Sequence, residues 1–207
     1  MSKTIILAGA HIDDYSWLGQ QITQNDFVIC ADSGARHAHA IDIIPDMIVG
    51  DMDSISSDLM EYYADKTAVI NDDDQNKTDM MKALDNCDTN QSVEIFGAVG
   101  QRADHDFSNY LILKSMPSPD NITLRTPHDT RRIITKSFEI KGNTGDKIGI
   151  FPMSPIKNMH FSGLKFPAHA LNDAHDFGWN GACNELTGKS AKIEFDTGIA
   201  LITHSHS

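Results

Sequence analysis

The segment Val49-Gly50-Asp51-Met52-Asp53-Ser54 places two aspartates two residues apart, directly after an apolar run and a glycine. If the backbone stays extended there, alternate side chains point the same way and both carboxylates face one side at the end of a strand. Open α/β sheets gather ligands at the carboxyl ends of their strands, and paired hard oxygens suit Mg²⁺, which takes water and phosphate as its other ligands. The same residues also read as an acidic turn capping a helix that begins near Ser56.

Three further loops offer related chemistry. Asp74-Gln75-Asn76-Lys77-Thr78-Asp79 opens a helical pattern, where free N–H groups, the helix dipole and Lys77 suit a phosphate and Asp79 supplies another carboxylate. Its plain alternative is an ordinary N-cap after a solvated acidic loop. Phe96-Gly97-Ala98-Val99-Gly100-Gln101-Arg102-Ala103-Asp104-His105 runs from strand through glycines to helix, and Arg102 can pair bidentately with phosphate oxygens. A G-x-x-G is also a common tight turn, and the dinucleotide fingerprint G-x-G-x-x-G does not occur in the chain. Ala31-Asp32-Ser33-Gly34-Ala35-Arg36 again follows a strand and precedes a helix. Four such loops at one end of a sheet carry more weight than any one of them.

Other chemically suggestive residues read as structural. Thr187-Gly188-Lys189-Ser190 imitates the end of a Walker A loop, but Cys183 stands where its first glycine belongs and the strand-like AKIEF follows instead of a helix. Cys183 lacks a neighbouring base and reads as a packed thiol. His11, beside Asp13 and Asp14, and the terminal His204 and His206 carry metal-binding side chains but read as ordinary loop or exposed residues. Trp17 and Trp179 read as packing residues.

The elements that must position the four loops follow from hydrophobic pattern. Lys3 to Ala8, Asp26 to Ala31, Asp46 to Val49, Thr67 to Ile70 and Val93 to Phe96 are short Ile- and Val-rich runs ending in turn residues. Met80, Ala83, Leu84 and Cys87 recur at helical steps, as do Phe107, Tyr110, Leu111 and Lys114 within Ala103 to Ser115. Strands alternating with helices, apolar on both faces, predict a mainly parallel sheet in an N-terminal α/β domain over residues 1–126. Beyond Pro127 short alternating segments (Ile148 and Ile150, Met159 and Phe161, Ile193 and Phe195, Ile199 and Leu201) predict a smaller all-β sandwich over residues 127–207, with a hairpin turn at Asp196-Thr197-Gly198.

Composition bounds the rest. Of 207 residues, 24 are Asp and only 5 Glu, and the net charge is −12, which excludes a broad basic surface for nucleic acid or anionic membrane. Residues 1–110 hold 20 acidic against 6 basic side chains, a net −14, while residues 111–207 hold 9 against 11, a net +2. The acid belongs to the half that carries the phosphate-suited loops, so a polyphosphate there needs a cation. Three scattered cysteines, no apolar run near ~20 residues and an N-terminus without a signal-peptide pattern predict a cytoplasmic protein without a disulfide framework or membrane span.

Taken in order, Ala31 to Ala35, Pro45 to Ser54, Asp74 to Asp79, Gly97 to His105 and Ser162-Gly163-Leu164-Lys165-Phe166 resemble the thiamine pyrophosphokinase family, with Gly181-Ala182-Cys183-Asn184-Glu185 similar to its late Gly-x-Ser-Asn element. The resemblance covers essentially the whole chain. It implies an α/β domain followed by a β-sandwich for thiamine binding and dimerisation, a homodimer with active sites near its interface, and Mg²⁺-dependent transfer of pyrophosphate from ATP to thiamine. It implies magnesium at Asp51, Asp53 and Asp79, and ATP contacts from Asp32, Ser33, Gly34, Gln75, Lys77, Thr78 and Arg102. Asp104 joins the catalytic acids, and Phe166, Cys183 and Asn184 fall at thiamine positions. Ser33 replaces an expected glycine, Phe166 an occasional Trp and Cys183 the usual Ser. A D-x-D phosphohydrolase or nucleotidyl or glycosyl transferase, and a non-catalytic nucleotide or thiamine sensor, are the competing functional readings.

Overall fold

A computed structural model of the chain describes residues 2–100, 102–166 and 181–206. Trp179 lies outside them. The chain divides into two compact units, Met1–Ile112 with Leu124–Pro127, and Leu113–Thr123 with His128–Ser207.

In the first unit β1 (Thr4–Leu7), β2 (Phe27–Ala31), β3 (Met47–Gly50), β4 (Ala68–Asn71) and β5 (Val93–Phe96) pair in parallel in the order β5-β1-β2-β3-β4. Every residue of β1 is buried, as expected of a central strand covered on both faces. The helices α1 (Tyr15–Gln21), α2 (Ala35–Ala40), α3 (Ser57–Tyr63), α4 (Asp79–Asp85) and α5 (Ala103–Ser115) alternate with the strands. Asp14, Ser56 and Thr78 cap α1, α3 and α4 by accepting backbone N–H groups of the first turn. Ile5, Leu7, Leu18, Val28, Cys30, Ala38, Ile48, Tyr63 and Phe96 form one buried cluster.

The strand order matters for function. From β1 the chain steps outward through β2, β3 and β4, then returns to place β5 on the other side of β1. That reversal opens a crevice beyond the carboxyl ends of β1 and β5.

Beyond the end of α5 and a 3-10 turn at Pro119–Asn121, the described residues of the second unit form strands and their connections. An antiparallel group runs β11-β9-β13-β7, formed by Asn184–Glu185, Lys147–Pro152, Ala200–Ser205 and Asp129–Ile134, and a three-stranded sheet runs β10-β12-β8, formed by His160–Ser162, Ser190–Glu194 and Phe138–Lys141. Ile134, Ile148, Ile150 and Ile202 of the first pack with Ile140, Phe161, Ala191 and Ile193 of the second in one core, which makes a sandwich. The short strand β6 (Ile122–Arg125) contains the division between the units.

Two expectations change. Asp196-Thr197-Gly198 is no hairpin: β12 before it pairs with β8 and β10, whereas β13 after it pairs with β7 and β9, so the segment crosses between sheets. On α5 the helical register is as expected, but Phe107 and Leu111 are 61 % and 44 % exposed while Asn109 and Leu113 are buried. Spacing identifies a helix without saying which of its faces the chain covers.

Candidate active site

A cleft of about 480 Å³ lies in the first unit, lined among others by Gly9, Ser33, Asp51, Gln75, Asp79 and Gly97. The lining residues come from the loops after β1, β2, β3, β4 and β5 and from α4 and α5, at the carboxyl end of the sheet. Asp53, Lys77, Thr78 and Arg102 also line it. The four loops singled out by sequence therefore share one site.

The aspartates converge for a different reason than simple extension of a strand. β3 ends at Gly50, and Met52 adopts a left-handed φ of 63°, so Asp51 and Asp53 lie on a turn. The turn is tied by the Asp53 N–H donating to Asp51 Oδ1 at 3.4 Å. Asp32, at the head of a 3-10 turn after β2, also has a positive φ of 44°. Its approach depends on Gly50, because a Cβ there would lie 2.8 Å from Asp32 Cβ. One carboxylate oxygen from each of Asp32, Asp51 and Asp53 then lies within 4.8 Å of the others.

Asp32 is 1 % exposed, and its Oδ1 has no hydrogen-bond partner among the described residues. A buried carboxylate oxygen without a donor is unfavourable unless a cation meets it. Three convergent oxygens, two of them from Asp51 and Asp53 on the cleft wall and one from buried Asp32 behind it, fit a hard divalent ion such as Mg²⁺.

Asp79, at the first turn of α4, stands outside that trio but lines the same cleft. Burial, reinforced by the charges of Asp32 and Asp51, holds its carboxyl above the usual range against the pull of Lys82. Lys82 went unread in the sequence. It is buried on the inner face of α4 with Met80, Ala83 and Leu84, and its Nζ lies 3.7 Å from Asp51 and 3.5 Å from Asp79. The available signal was a lysine three residues after Asp79, inside the apolar run MMKAL. Gln75 Nε2 donates to Asp51 Oδ2 at 3.2 Å, and this hydrogen bond leads the effects that lower the Asp51 pKa.

The remaining residues from the sequence reading have mixed surroundings. Lys77 Nζ lies 2.8 Å from Asp85, and Thr78 Oγ1 accepts the Met81 N–H. Arg102 is paired with Asp104 through both Nε and Nη2, which holds the Asp104 carboxyl well below the usual carboxylate range. Asp104 is not among the residues lining the cleft; its helix neighbours His105 and Asp106 are. Asp106 accepts the Gly100 N–H at 3.0 Å and so fixes the glycine loop. Gly34 is buried in the 3-10 turn against β1.

Behind the cleft, buried His37 holds the loop after β1. Its Nε2–H donates to the Ala10 carbonyl at 2.9 Å, so the Tyr15 hydroxyl, 2.8 Å away, donates to Nδ1. Burial, followed by the charge of Arg36, lowers the His37 pKa to about 4.

In the second unit Asn184 is buried, and its amide spans Phe166: Oδ1 accepts the Phe166 N–H at 3.0 Å and Nδ2 donates to the Phe166 carbonyl at 2.8 Å. Phe166 itself is 58 % exposed, and exposed Cys183 has a φ of 64°. The side chain of Asn184 thus fixes backbone and leaves the aromatic ring outward.

An open parallel sheet with carboxylates, a buried lysine and glycine loops around one crevice is an arrangement suited to metal-assisted phosphoryl transfer. Residues 18–124, just over half of the chain, match the family described as thiamin pyrophosphokinase, catalytic domain, and the chain belongs to that family. Thiamine pyrophosphokinase 1 of Oryza sativa subsp. japonica is 32% identical over a 140-residue alignment that covers 59% of this chain and 52% of that protein. Thiamine pyrophosphokinase 2 of the same plant is 31% identical over 139 residues, with the same coverage. The chain spans about half the length of these relatives. Among solved structures, thiamine pyrophosphokinase from Bacillus subtilis superposes with a TM-score of 0.83 at 24% identity, covering 100% of both chains. Yeast thiamin pyrophosphokinase gives 0.78 at 16% identity, covering 99% of this chain and 86% of that one. The two structures share its α/β and β-sandwich fold. No helix among the described residues is long and apolar enough to cross a membrane.

Proposed function

We propose that the protein is an ATP:thiamine diphosphotransferase, joining the pyrophosphoryl group of ATP to the hydroxyl of thiamine with release of AMP. The observation that carries this reading is the acid-lined cleft at the strand-order reversal, with buried Asp32, one of whose oxygens lacks a partner among the described residues, grouped with the carboxylates of Asp51 and Asp53. Membership of the family supplies the substrates. The competing phosphohydrolase, transferase and sensor readings have no observation in their favour.

The attacking atom is the hydroxyethyl oxygen of thiamine. It forms a bond to the β-phosphorus of ATP as the bond from that phosphorus to the α–β bridging oxygen breaks, and AMP leaves with the electron pair. Asp51, Asp53 and Asp79 are the proposed Mg²⁺-binding acids, and the position of Asp32 adds it to this group. When bound, Mg²⁺ neutralises phosphate charge that an acidic cleft would otherwise repel. Gln75 orients Asp51, while Lys82 keeps Asp51 and Asp79 apart in charge but together in space. Lys77, Thr78, Arg102 and the Asp32-Ser33-Gly34 turn contact ATP in this proposal. Rotation of Lys77 away from Asp85 and of Arg102 away from Asp104 makes their charges available to phosphate oxygens. A carboxylate, Asp79 or Asp104, accepts the alcohol proton.

Residues 1–126 form the proposed catalytic domain and residues 127–207 the thiamine-binding and dimerisation domain. Phe166 offers a ring face for thiamine, with Asn184 setting its backbone and Cys183 beside it. The exposed Phe107 and Leu111 support a homodimer. A cytoplasmic location accords with three free cysteines.

Incubation with ATP, Mg²⁺ and thiamine, followed by separation of products, tests the proposal. Thiamine diphosphate and AMP in equal amounts are expected; ADP or free phosphate as the thiamine-dependent product contradicts it.

A further inference from the structure

The β-rich unit holds its own group of metal-competent side chains, Asp146, His204 and His206. Asp146 immediately precedes β9, and His204 on β13 lies opposite Ile148 of β9, so the antiparallel register brings the turn alongside the histidine. His206 follows two residues later, and its ring centroid lies 4.5 Å from that of His204. One donor atom from each of the three lies within 4.8 Å of the others.

The carboxylate is built in. Asp146 is 1 % exposed; its Oδ2 accepts the Asn143 N–H at 2.8 Å and lies 2.9 Å from His204 Nε2. Space around the pair depends on Gly142, where a Cβ would lie 2.5 Å from Asp146 Oδ2 and 2.9 Å from His204 Cε1. His204 is nearly buried, whereas His206 is exposed. The group is therefore closed on the protein side and open to solvent at its third donor.

We propose that Asp146, His204 and His206 bind a late first-row divalent ion of the Zn²⁺ type. Two imidazoles and one carboxylate are a donor set for such ions, whereas the oxygen-only cluster of Asp32, Asp51 and Asp53 suits Mg²⁺. Metal bonds near ~2.0 Å in tetrahedral array separate donors by about 3.3 Å. The ion thus takes the place of the shared proton once Nε2 and Oδ2 move a few tenths of an ångström further apart, with a neutral His204 ring carrying its proton on Nδ1 instead. His206 closes the third position and solvent supplies the fourth. Bound there, the ion ties the end of β13 to the turn before β9, so it raises the stability of the β unit by linkage.

The test uses the full chain, stripped with chelator and then titrated with Zn²⁺ while millimolar Mg²⁺ occupies the oxygen cluster; Co²⁺ serves as a spectroscopic probe of tetrahedral geometry. One Zn²⁺ per chain and a Zn²⁺-dependent rise in Tm are expected. His206→Ala, at an exposed position, keeps the metal-free Tm but weakens Zn²⁺ binding by more than about tenfold and loses the rise. His204→Gln does the same to binding, and Asp51→Asn leaves it unchanged. Failure to bind Zn²⁺ under these conditions, unaltered binding in both histidine variants, or loss of binding in Asp51→Asn overturns the proposal.

Discussion

Asp32 and Asp146 are equally buried, each 1 % exposed, yet their surroundings are opposite. Asp146 is met by its own chain: a backbone N–H from Asn143 and the ring of His204 satisfy one oxygen in a turn that Gly142 leaves room for. Asp32 has an oxygen with no such donor, beside two more carboxylates and an open cleft. The first arrangement is stable as it stands and accepts an ion by exchanging a proton. The second is unfavourable until a cation arrives, because desolvating a carboxylate without a partner is costly. The difference separates a locus whose charge awaits a partner from one whose charge is met by the framework.

The strongest way to break this contrast is through the carboxylates of the cleft. Asp51→Asn or Asp53→Asn should lower kcat by about three orders of magnitude or more, since the variant loses a carboxylate proposed to hold the Mg²⁺ that offsets phosphate charge, while circular dichroism stays unchanged. Near-normal turnover in both would detach the cluster from the chemistry. Lys82→Met should come next, with kcat down about a hundredfold and a lower Tm, because a buried cation between Asp51 and Asp79 is replaced by an apolar chain. Restoration of most activity by Lys82→Arg would show that charge, rather than shape, is what the position needs.

Asn184→Ala addresses the other unit. Loss of two hydrogen bonds to the Phe166 backbone should raise KM for thiamine about tenfold with KM for ATP unchanged. Equal changes in both constants would contradict the division of substrates between the units.

A separate effect, on stability rather than turnover, concerns buried His37, which is neutral and bonded on both nitrogens. Its folded pKa, about 4, lies below the ordinary 6.5, so the unfolded chain binds a proton that the folded chain refuses between those values. Stability from this group is complete above pH 6.5, falls as pH drops through the window and is fully lost below about 4. The slope reaches at most about 1.4 kcal/mol per pH unit. His37→Gln should flatten the fall in Tm from pH 7 to pH 5 relative to the parent; an identical fall would refute the assignment.

Much of this was legible in the chain. The five parallel strands announced themselves through Ile and Val runs of the right length, and four of them ended in loops with phosphate- or metal-suited residues, so the site's location followed from topology. What stayed hidden depended on backbone sign and on pairings across sequence. The positive φ of Asp32 and Met52 turns the metal-suited group into Asp32, Asp51 and Asp53, a grouping that alternation along an extended strand does not produce. Lys82 was hidden because a lysine in a helix ordinarily faces water, and only its carboxylate partners explain its burial. The histidines at 204 and 206 read as ordinary exposed residues, whereas the register of β13 against β9 seats them beside a buried carboxylate. The absence of a hairpin at residues 196–198 has the same origin, since local turn chemistry does not reveal which sheet receives the next strand.

The most direct test of the proposed chemistry follows the phosphorus atoms. ATP labelled at the α-phosphate and, separately, at the γ-phosphate is turned over with thiamine and Mg²⁺. The α label should leave entirely as AMP, and the γ label should appear as the terminal phosphate of thiamine diphosphate, both absent in Asp51→Asn. Recovery of the α label in ADP, or of the γ label in thiamine monophosphate or free phosphate, would contradict pyrophosphoryl transfer in this cleft.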